Sequence, residues 1–408
     1  MKHSGRADLS LMGGSIPSWL FTRMKQLSVP VVEALLTIHG KQGFLARLSD
    51  PFWFQSFAAV IGMDWNSSGA TTAVMSALKQ SLNPLSKELG LYVCGGKGKA
   101  SLKTPQELQI VGNKTGLDGN LFADASKLTA KVDNTAIQDG FQLYLHSFVI
   151  SDEGHWSVIQ QGMQTKSRKA RRYHWHSENV NSFVEEPHTA ICGLNNEAKI
   201  INLVDKHALP TQKGIVDITR ENPDKIIKEL PHLLMPSYCD VKAKDIDIKR
   251  LGSILWLSQE METKSFEEIL LLKGLGPRTL QSLTLVSELL YGTPSRFSDP
   301  ARFSFAHGAK SAKPFPVLTK VYDETIQTLK TAVEGAKIDR SDKLRAISKL
   351  SALSQKLESN FEPTNNLEAI LQKERVQAHK YGGRTKDGFV KPESTQLNLF
   401  DHQEDNNS

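Results

Sequence analysis

Cysteine is scarce in this chain of 408 residues, where Cys94, Cys192 and Cys239 are the only three, far apart and without a Cys-x-x-Cys pair. That spacing argues against a disulfide framework and a cysteine-built zinc site, and it suits a reducing compartment. Long apolar runs are missing too. No stretch approaches the roughly 18 consecutive apolar residues of a spanning helix, and Met1–Gly14 holds no continuous apolar segment of the kind a secretory signal requires. A cytoplasmic protein with no membrane partner is therefore expected. A large excess of either charge is also absent, since 50 Lys and Arg against 44 Asp and Glu leave a formal net charge of +6. Such an excess is compatible with a polyanionic partner but too thin to identify one, so the placement of the cations matters more than their sum. The 39% apolar and 23% charged residues that remain describe a globular chain able to bury a core over two or three domains.

Apolar spacing divides the chain. Residues 1–90 read as an α-rich section, with helical periodicity in Leu20, Met24 and Leu27, in Val31, Leu35 and Ile38, and in Val74, Leu78 and Leu82. Over 91–220 the pattern turns to α+β, and the run Phe141–Ile150, a turn at Asp152–Gly154 and the run Trp156–Gln160 predict a β-hairpin. In the section 221–318 helical spacing returns at 245–291, and a stretch rich in Pro, Phe and Gly follows from Thr293 to Val317. Amphipathic helices are expected in 319–375, where Leu344, Ile347, Leu350, Leu353 and Leu357 fall on one face. From 376 to 408 the chain is polar and predicts a disordered tail. No internal repeat is visible. The expected class is α+β, with an α-rich N-terminal section, a mixed β-containing middle and a helical C-terminal region.

Within 221–318, Phe266, Ile269 and Leu270 share one face of a short helix that Gly274 stops. Leu280, Leu283, Val286 and Leu290 stripe a second helix that Pro277 opens and Gly292 ends. The link Gly274-Leu275-Gly276 lets the backbone turn tightly and approach a phosphate oxygen, and the amides that open the second helix favour an anion. This arrangement resembles the helix-hairpin-helix motif of DNA repair and recombination proteins. The resemblance implies sequence-independent contact with the DNA backbone through Lys273, Gly274, Gly276, Arg278 and Thr279. Leu280 departs from the small alanine often found there. The plain alternative is a helical turn with a glycine stop and a proline start.

Inside the polar tail, Gln396-Leu397-Asn398-Leu399-Phe400 is an apolar island. It is similar to the clamp-binding motif of bacterial polymerases and repair proteins, which implies the bacterial sliding clamp as a partner. Gln396 would then sit at a pocket rim while Leu397, Leu399 and Phe400 fill an apolar groove. The alternative is a cluster that packs back on the body.

A wider resemblance is carried by Arg6-Ala7-Asp8, Gly13-Gly14, Asp50–Gln55, Asp64–Gly69, Gly95–Lys99, Gln160–Met163 and Arg302–Gly308. Together these resemble the domain-of-unknown-function family 763 up to about residue 330, which implies no activity. Lys166, Arg168, Lys169, Arg171 and Arg172 put five cations in seven residues ahead of Tyr173-His174-Trp175-His176. Charge beside stacking faces suits a nucleic-acid strand, and a solvated basic loop accounts for it equally well. Gly95–Lys99 lacks the spacing and hydroxyl of a Walker loop, so an ATPase is not indicated. His174 and His176 share one strand face but lack a neighbouring Cys or Asp to complete a metal site. Asp133 and Asp139 precede the first hairpin strand, and Gln160 ends its partner, with Lys131 adjacent. The first three are the candidate catalytic residues of a nuclease that would hold Mg2+ or Mn2+. No nuclease signature surrounds them, and helix or turn caps explain the carboxylates as readily. No other cofactor is indicated. The expectation is a nucleoid-associated protein of repair or replication that grips the DNA backbone through its helical hairpin and is tethered to the clamp, with metal-dependent cleavage open. The alternatives are a non-catalytic DNA-binding adaptor and an RNA-processing protein.

Overall fold

The computed structural model describes residues 9–10, 16–63, 68–164, 169–193, 199–229, 248–301, 319–358, 384–385 and 388–389. The chain forms one compact unit, Met1–Asn360, and a second, Phe361–Ser408.

The first unit opens with the short strand β1 (Leu9–Ser10) and the helices α1 (Ser18–Leu48), α2 (Pro51–Val60), α3 (Ser68–Leu82) and α4 (Ser86–Leu89). Asp50 starts α2 by accepting the Trp53 amide at 2.8 Å, with Pro51 at the first helical position, where its missing N–H has no partner to lose. This helix is apolar except for Gln55 and Ser56, and every one of its residues is buried, as in a helix inside a core. Strand β2 (Leu91–Lys97) follows, then a helical hairpin of α5 (Thr104–Thr115) and α6 (Gly119–Lys131). A π-helical turn at Val132–Ala136 leads into β3 (Ile137–Gln138), β4 (Gln142–Ser151), β5 (Trp156–Gln164), β6 (Lys169–His176), β7 (Ala190–Cys192) and β8 (Ile201–Asn202). The helices α7 (Leu209–Arg220), α8 (Pro223–Glu229), α9 (Ile248–Glu260), α10 (Phe266–Leu271), α11 (Pro277–Tyr291), α12 (Thr319–Gly335) and α13 (Arg340–Glu358) complete the unit. Among the described residues no helix is long and apolar enough to cross a membrane.

The class is α+β, as expected. Its centre is an antiparallel sheet in the order β1-β6-β5-β4-β2, with β7 pairing along β6 as well. The expected hairpin is β4–β5, turning at Asp152–Gly154, where Lys41 of α1 donates to Asp152 at 2.6 Å and to Glu153 at 3.0 Å. Helices cover both faces. Val93, Val149 and Ile159 pack into a core with α1–α3 and with Leu329 and Val333 of α12. Phe148, Val158, Tyr173 and Trp175 pack on the other side with Leu108, Phe122 and side chains of α7 and α9–α11. With no solvated face, β5 and β6 are buried along nearly their whole length instead of alternating. Helices α12 and α13 return to α1 and α2, where Lys349 donates to the Gly62 carbonyl at 3.1 Å and Arg23 pairs with Asp342 at 2.9 Å. Of the expected leucine-rich face, Leu350 is buried and Leu344 exposed, while the side chains of Leu353 and Leu357 lie outside the described residues.

In the second unit, β9 (Arg384–Thr385) and β10 (Gly388–Phe389) pair antiparallel inside the stretch expected to be disordered from 376 onward. Gln396, Leu397, Leu399 and Phe400 lie outside the described residues.

Candidate functional site

The pair α10–α11 forms where its sequence pattern predicts. Ser265 caps α10 by accepting the Glu268 amide at 3.2 Å, and Phe266, Ile269 and Leu270 turn into the core. Gly274 sits at φ +89°, a conformation that costs a side-chain-bearing residue energy and that lets the chain reverse within five residues. Leu275 is buried and seals the turn, and Leu280, Leu283 and Val286 anchor α11, whereas Leu290 at its far end is exposed. Lys273, Gly274, Pro277 and Arg278 are exposed and Gly276 is half-buried. A Cβ on Gly276 would meet nothing within 4 Å. Thr279, expected at the phosphate, instead turns inward and is 5% exposed. It belongs to the buried face because it stands four positions before Leu283 and seven before Val286, in line with both along the helix. The first donor inside α11 is Leu280, which reaches Gly276 O at 3.0 Å, so the amides of Arg278 and Thr279 precede the helix's own ladder. From the other side, Lys131 Nζ donates to Leu275 O at 2.5 Å and Gln138 Nε2 to Pro277 O at 2.8 Å. Burial pulls the Lys131 ammonium's pKa down.

For Arg171 and Arg172 the expected basic surface is corrected. Lys166 and Arg168 lie outside the described residues and Lys169 is half-buried, but Arg171 and Arg172 are 1% and 0% exposed, and Tyr173, His174, Trp175 and His176 are buried with them. They belong to β6, inside a sheet covered on both faces, so they offer no strand a surface. Arg171 donates to Asp139 Oδ2 at 2.7 Å and to both oxygens of Asp299 at 2.9 and 2.8 Å. Burial alone would lower its pKa, and the two carboxylates more than reverse that, so it is raised. On the opposite face Arg172 donates to His174 Nε2 at 2.8 Å and lies over the Phe54 ring, 4.6 Å from its centre. Burial, with Arg172 beside it, holds His174 well below the usual histidine range, in its neutral form.

The candidate catalytic residues Asp133, Asp139 and Gln160 also face inward. Asp133, 0% exposed, accepts from Gln160 Nε2 at 2.6 Å and Trp175 Nε1 at 3.0 Å, and His188 Nε2 lies 2.5 Å from its other oxygen. Asp139 accepts from Arg171, from the Tyr173 hydroxyl at 2.7 Å and from the Phe141 amide at 2.9 Å. Burial raises the pKa of both carboxyls, opposed by His188 at Asp133 and by Arg171 at Asp139. Gln160 Oε1 contacts His146 Nδ1 at 2.9 Å, and His146 Nε2 contacts Ser126 Oγ at 2.8 Å. Because Gln160 gives its amide N–H to Asp133, its oxygen takes the proton of His146 Nδ1, which leaves Nε2 to accept from Ser126. Burial pushes His146 down to about 4, so this ring is neutral. The open carboxylate pair expected to hold Mg2+ or Mn2+ is thus a closed layer of hydrogen bonds in which protein donors occupy both acids. Among the described residues no group of three or more His, Cys, Asp and Glu is placed to hold a metal ion. In the glycine-rich stretch, the Gly95 amide is taken by Glu107 at 2.7 Å, so that segment binds its own carboxylate.

Three participants went unforeseen. His146 was within reach of sequence reasoning, because a hairpin turning at Asp152–Gly154 sets it directly opposite Gln160. His188 and Asp299 carry no local signal, Asp299 meeting Arg171 across 128 positions, whereas Lys131, adjacent to the candidate carboxylates in the sequence, turns to the hairpin instead.

No curated protein and no solved structure matches the chain. The family described as a protein of unknown function, DUF763, matches residues 5–317. Two of the stretches that carry this resemblance, the buried helix from Pro51 to Gln55 and the strand segment Gln160–Met163, build the core around the sheet. The chain therefore belongs to the DUF763 family.

Proposed function

We propose that this protein binds duplex DNA through its phosphate backbone at the α10–α11 hairpin, and that Gln396–Phe400 tethers it to the bacterial sliding clamp during repair or replication at the nucleoid. The observation that carries the reading is the exposure of Lys273, Gly274, Pro277 and Arg278 around a turn whose neighbouring amides have no helical acceptor. Backbone amides at a helix start, flanked by two cations, suit a phosphate and read no base. The role is binding, because the carboxylates that a nuclease would need are committed to protein donors.

Gly276→Val with Arg278→Glu tests it. Gly276 has an extended backbone, φ −127°, and open space before its Cβ, so valine fits the fold while blocking close approach. Duplex affinity should fall at least about tenfold, with a shallower salt dependence. Unchanged affinity in the folded variant refutes the reading, and tighter binding of RNA in the same titration replaces DNA with RNA. For the tether, alanine at Gln396, Leu399 and Phe400 should abolish clamp binding in calorimetry and leave DNA affinity unchanged. No heat from a 390–408 peptide at high micromolar concentration refutes the hook.

A further inference from the structure

The two bonds reaching the hairpin from behind have a geometric consequence. Among the described residues every peptide bond is trans, and in a trans peptide the C=O and N–H point in opposite directions. Lys131 holds the carbonyl of Leu275, whose peptide partner is the amide of Gly276. Gln138 holds the carbonyl of Pro277, whose peptide partner is the amide of Arg278. Pulling both carbonyls inward turns both amides outward, side by side at the start of α11. We infer that Lys131 and Gln138 are positioning residues for phosphate binding, fixing the Gly276 and Arg278 amides toward the DNA from the rear of the hairpin. The inference rests on the DNA-binding reading above.

Their own setting supports this. Lys131 ends α6 and Gln138 ends β3, and the π-helical turn between them directs Asp133 into the sheet's polar layer while its flanks meet the hairpin. π-Turns are rare and concentrate at functional sites. Among the described residues Leu275 O is the one acceptor that the Lys131 ammonium has, so a half-buried cation is committed to orienting a carbonyl. Such a use wastes a lysine unless the orientation matters.

The test uses the full chain, with Gln138→Leu and Lys131→Met compared with wild type and Lys273→Glu in duplex titrations over a range of salt. Titrations run below the unfolding temperature of every variant. The reading predicts that Gln138→Leu weakens binding about fivefold or more with no change in salt slope, because a neutral hydrogen bond is lost and no phosphate contact is. The Gly276 and Arg278 amide resonances, which shift on adding duplex to wild type, should shift less in this variant. A merely structural role would lower the unfolding temperature and leave both readouts alone, which overturns the inference. A salt slope reduced by about one in Lys131→Met would mean that Lys131 touches a phosphate itself, which also overturns it. Loss of binding in Lys273→Glu with none in Gln138→Leu keeps the hairpin and discards its positioning residues. Wild type that fails to bind duplex discards both.

Discussion

Lys166–Arg172 carries five cations in seven residues and the hairpin Lys273–Arg278 carries two in six, yet Arg171 and Arg172 of the denser stretch are buried while both cations of the sparser one are exposed. The difference lies in what each backbone is doing. In β6 the arginines are ordered by a ladder between β5 and β7 and covered by helices on both faces, so each guanidinium must find partners inside. Arg171 finds two carboxylates; Arg172 finds His174, Thr71 and an aromatic face. Arg171 is neutralised by its two carboxylates and Arg172 is shut away from solvent, so neither attracts a polyanion. At the hairpin the two glycines have no side chain to bury, Leu275 alone fills the core, and the cations fall on the outer rim. Charge density along a sequence is therefore a weaker guide to a binding surface than the way the backbone is covered.

The strongest way to break this contrast is Arg171→Met. Removing the guanidinium leaves Asp139 and Asp299 buried without their shared cation, which should cost about 3–5 kcal/mol. The denaturant midpoint of the full chain at neutral pH measures it. Lys273→Met, exposed and unpaired among the described residues, should stay within about 0.5 kcal/mol of wild type. A loss below about 1 kcal/mol at Arg171 would return the arginine to the surface and void the comparison.

The contrast also marks what could be read in advance. The β4–β5 hairpin was legible because apolar runs flank a turn of Asp152, Glu153 and Gly154. The α10–α11 pair was legible because Phe266, Ile269, Leu280 and Leu283 repeat at helical spacing around two glycines. Arg171–His176 was not, since a strand buried on both faces shows no alternation and its polar side chains look like surface. What takes them inside is distant in sequence, namely Asp139, Asp299, Thr71 and Phe54. The candidate carboxylates face inward for reasons no local pattern announces: Asp133 lies in the π-turn at Val132–Ala136, and Asp139 is held by Arg171 and Tyr173 of β6.

A smaller effect sharpens the interior half of the comparison. Burial holds His146 at about 4 against an ordinary 6.5. Its neutral form is favoured in the folded protein, so its contribution is complete above about 6.5 and is lost as pH falls toward 4. The slope within that window is about 1.4 kcal/mol per pH unit. Asp133 and Asp139, raised by burial, act in the opposite sense and gain as pH falls. The difference between wild type and His146→Gln isolates the histidine, and wild type should lose stability more steeply from pH 6.5 down to 4. Parallel curves would mean that His146 is already solvated and that the polar layer is open.

The smallest expected effect bears on the exterior half. Lys273→Met, Arg278→Met and Lys169→Met each remove one charge, and the two at exposed positions, Lys273 and Arg278, should leave the unfolding midpoint nearly unchanged, because surface substitutions seldom move stability by more than about 0.5 kcal/mol. The three should differ in DNA binding. A cation that neutralises a phosphate releases about one counterion, so its loss reduces the slope of log affinity against log salt by about 0.9. Lys273 and Arg278 flank the hairpin and should each show that decrement. Lys169 begins β6, opposite Ser10 and Gln164 in the ladder, and should show none. Equal decrements at Lys169 and Lys273 would extend the DNA surface onto the strand, and the separation between a buried and an exposed basic stretch would then hold only for Arg171 and Arg172.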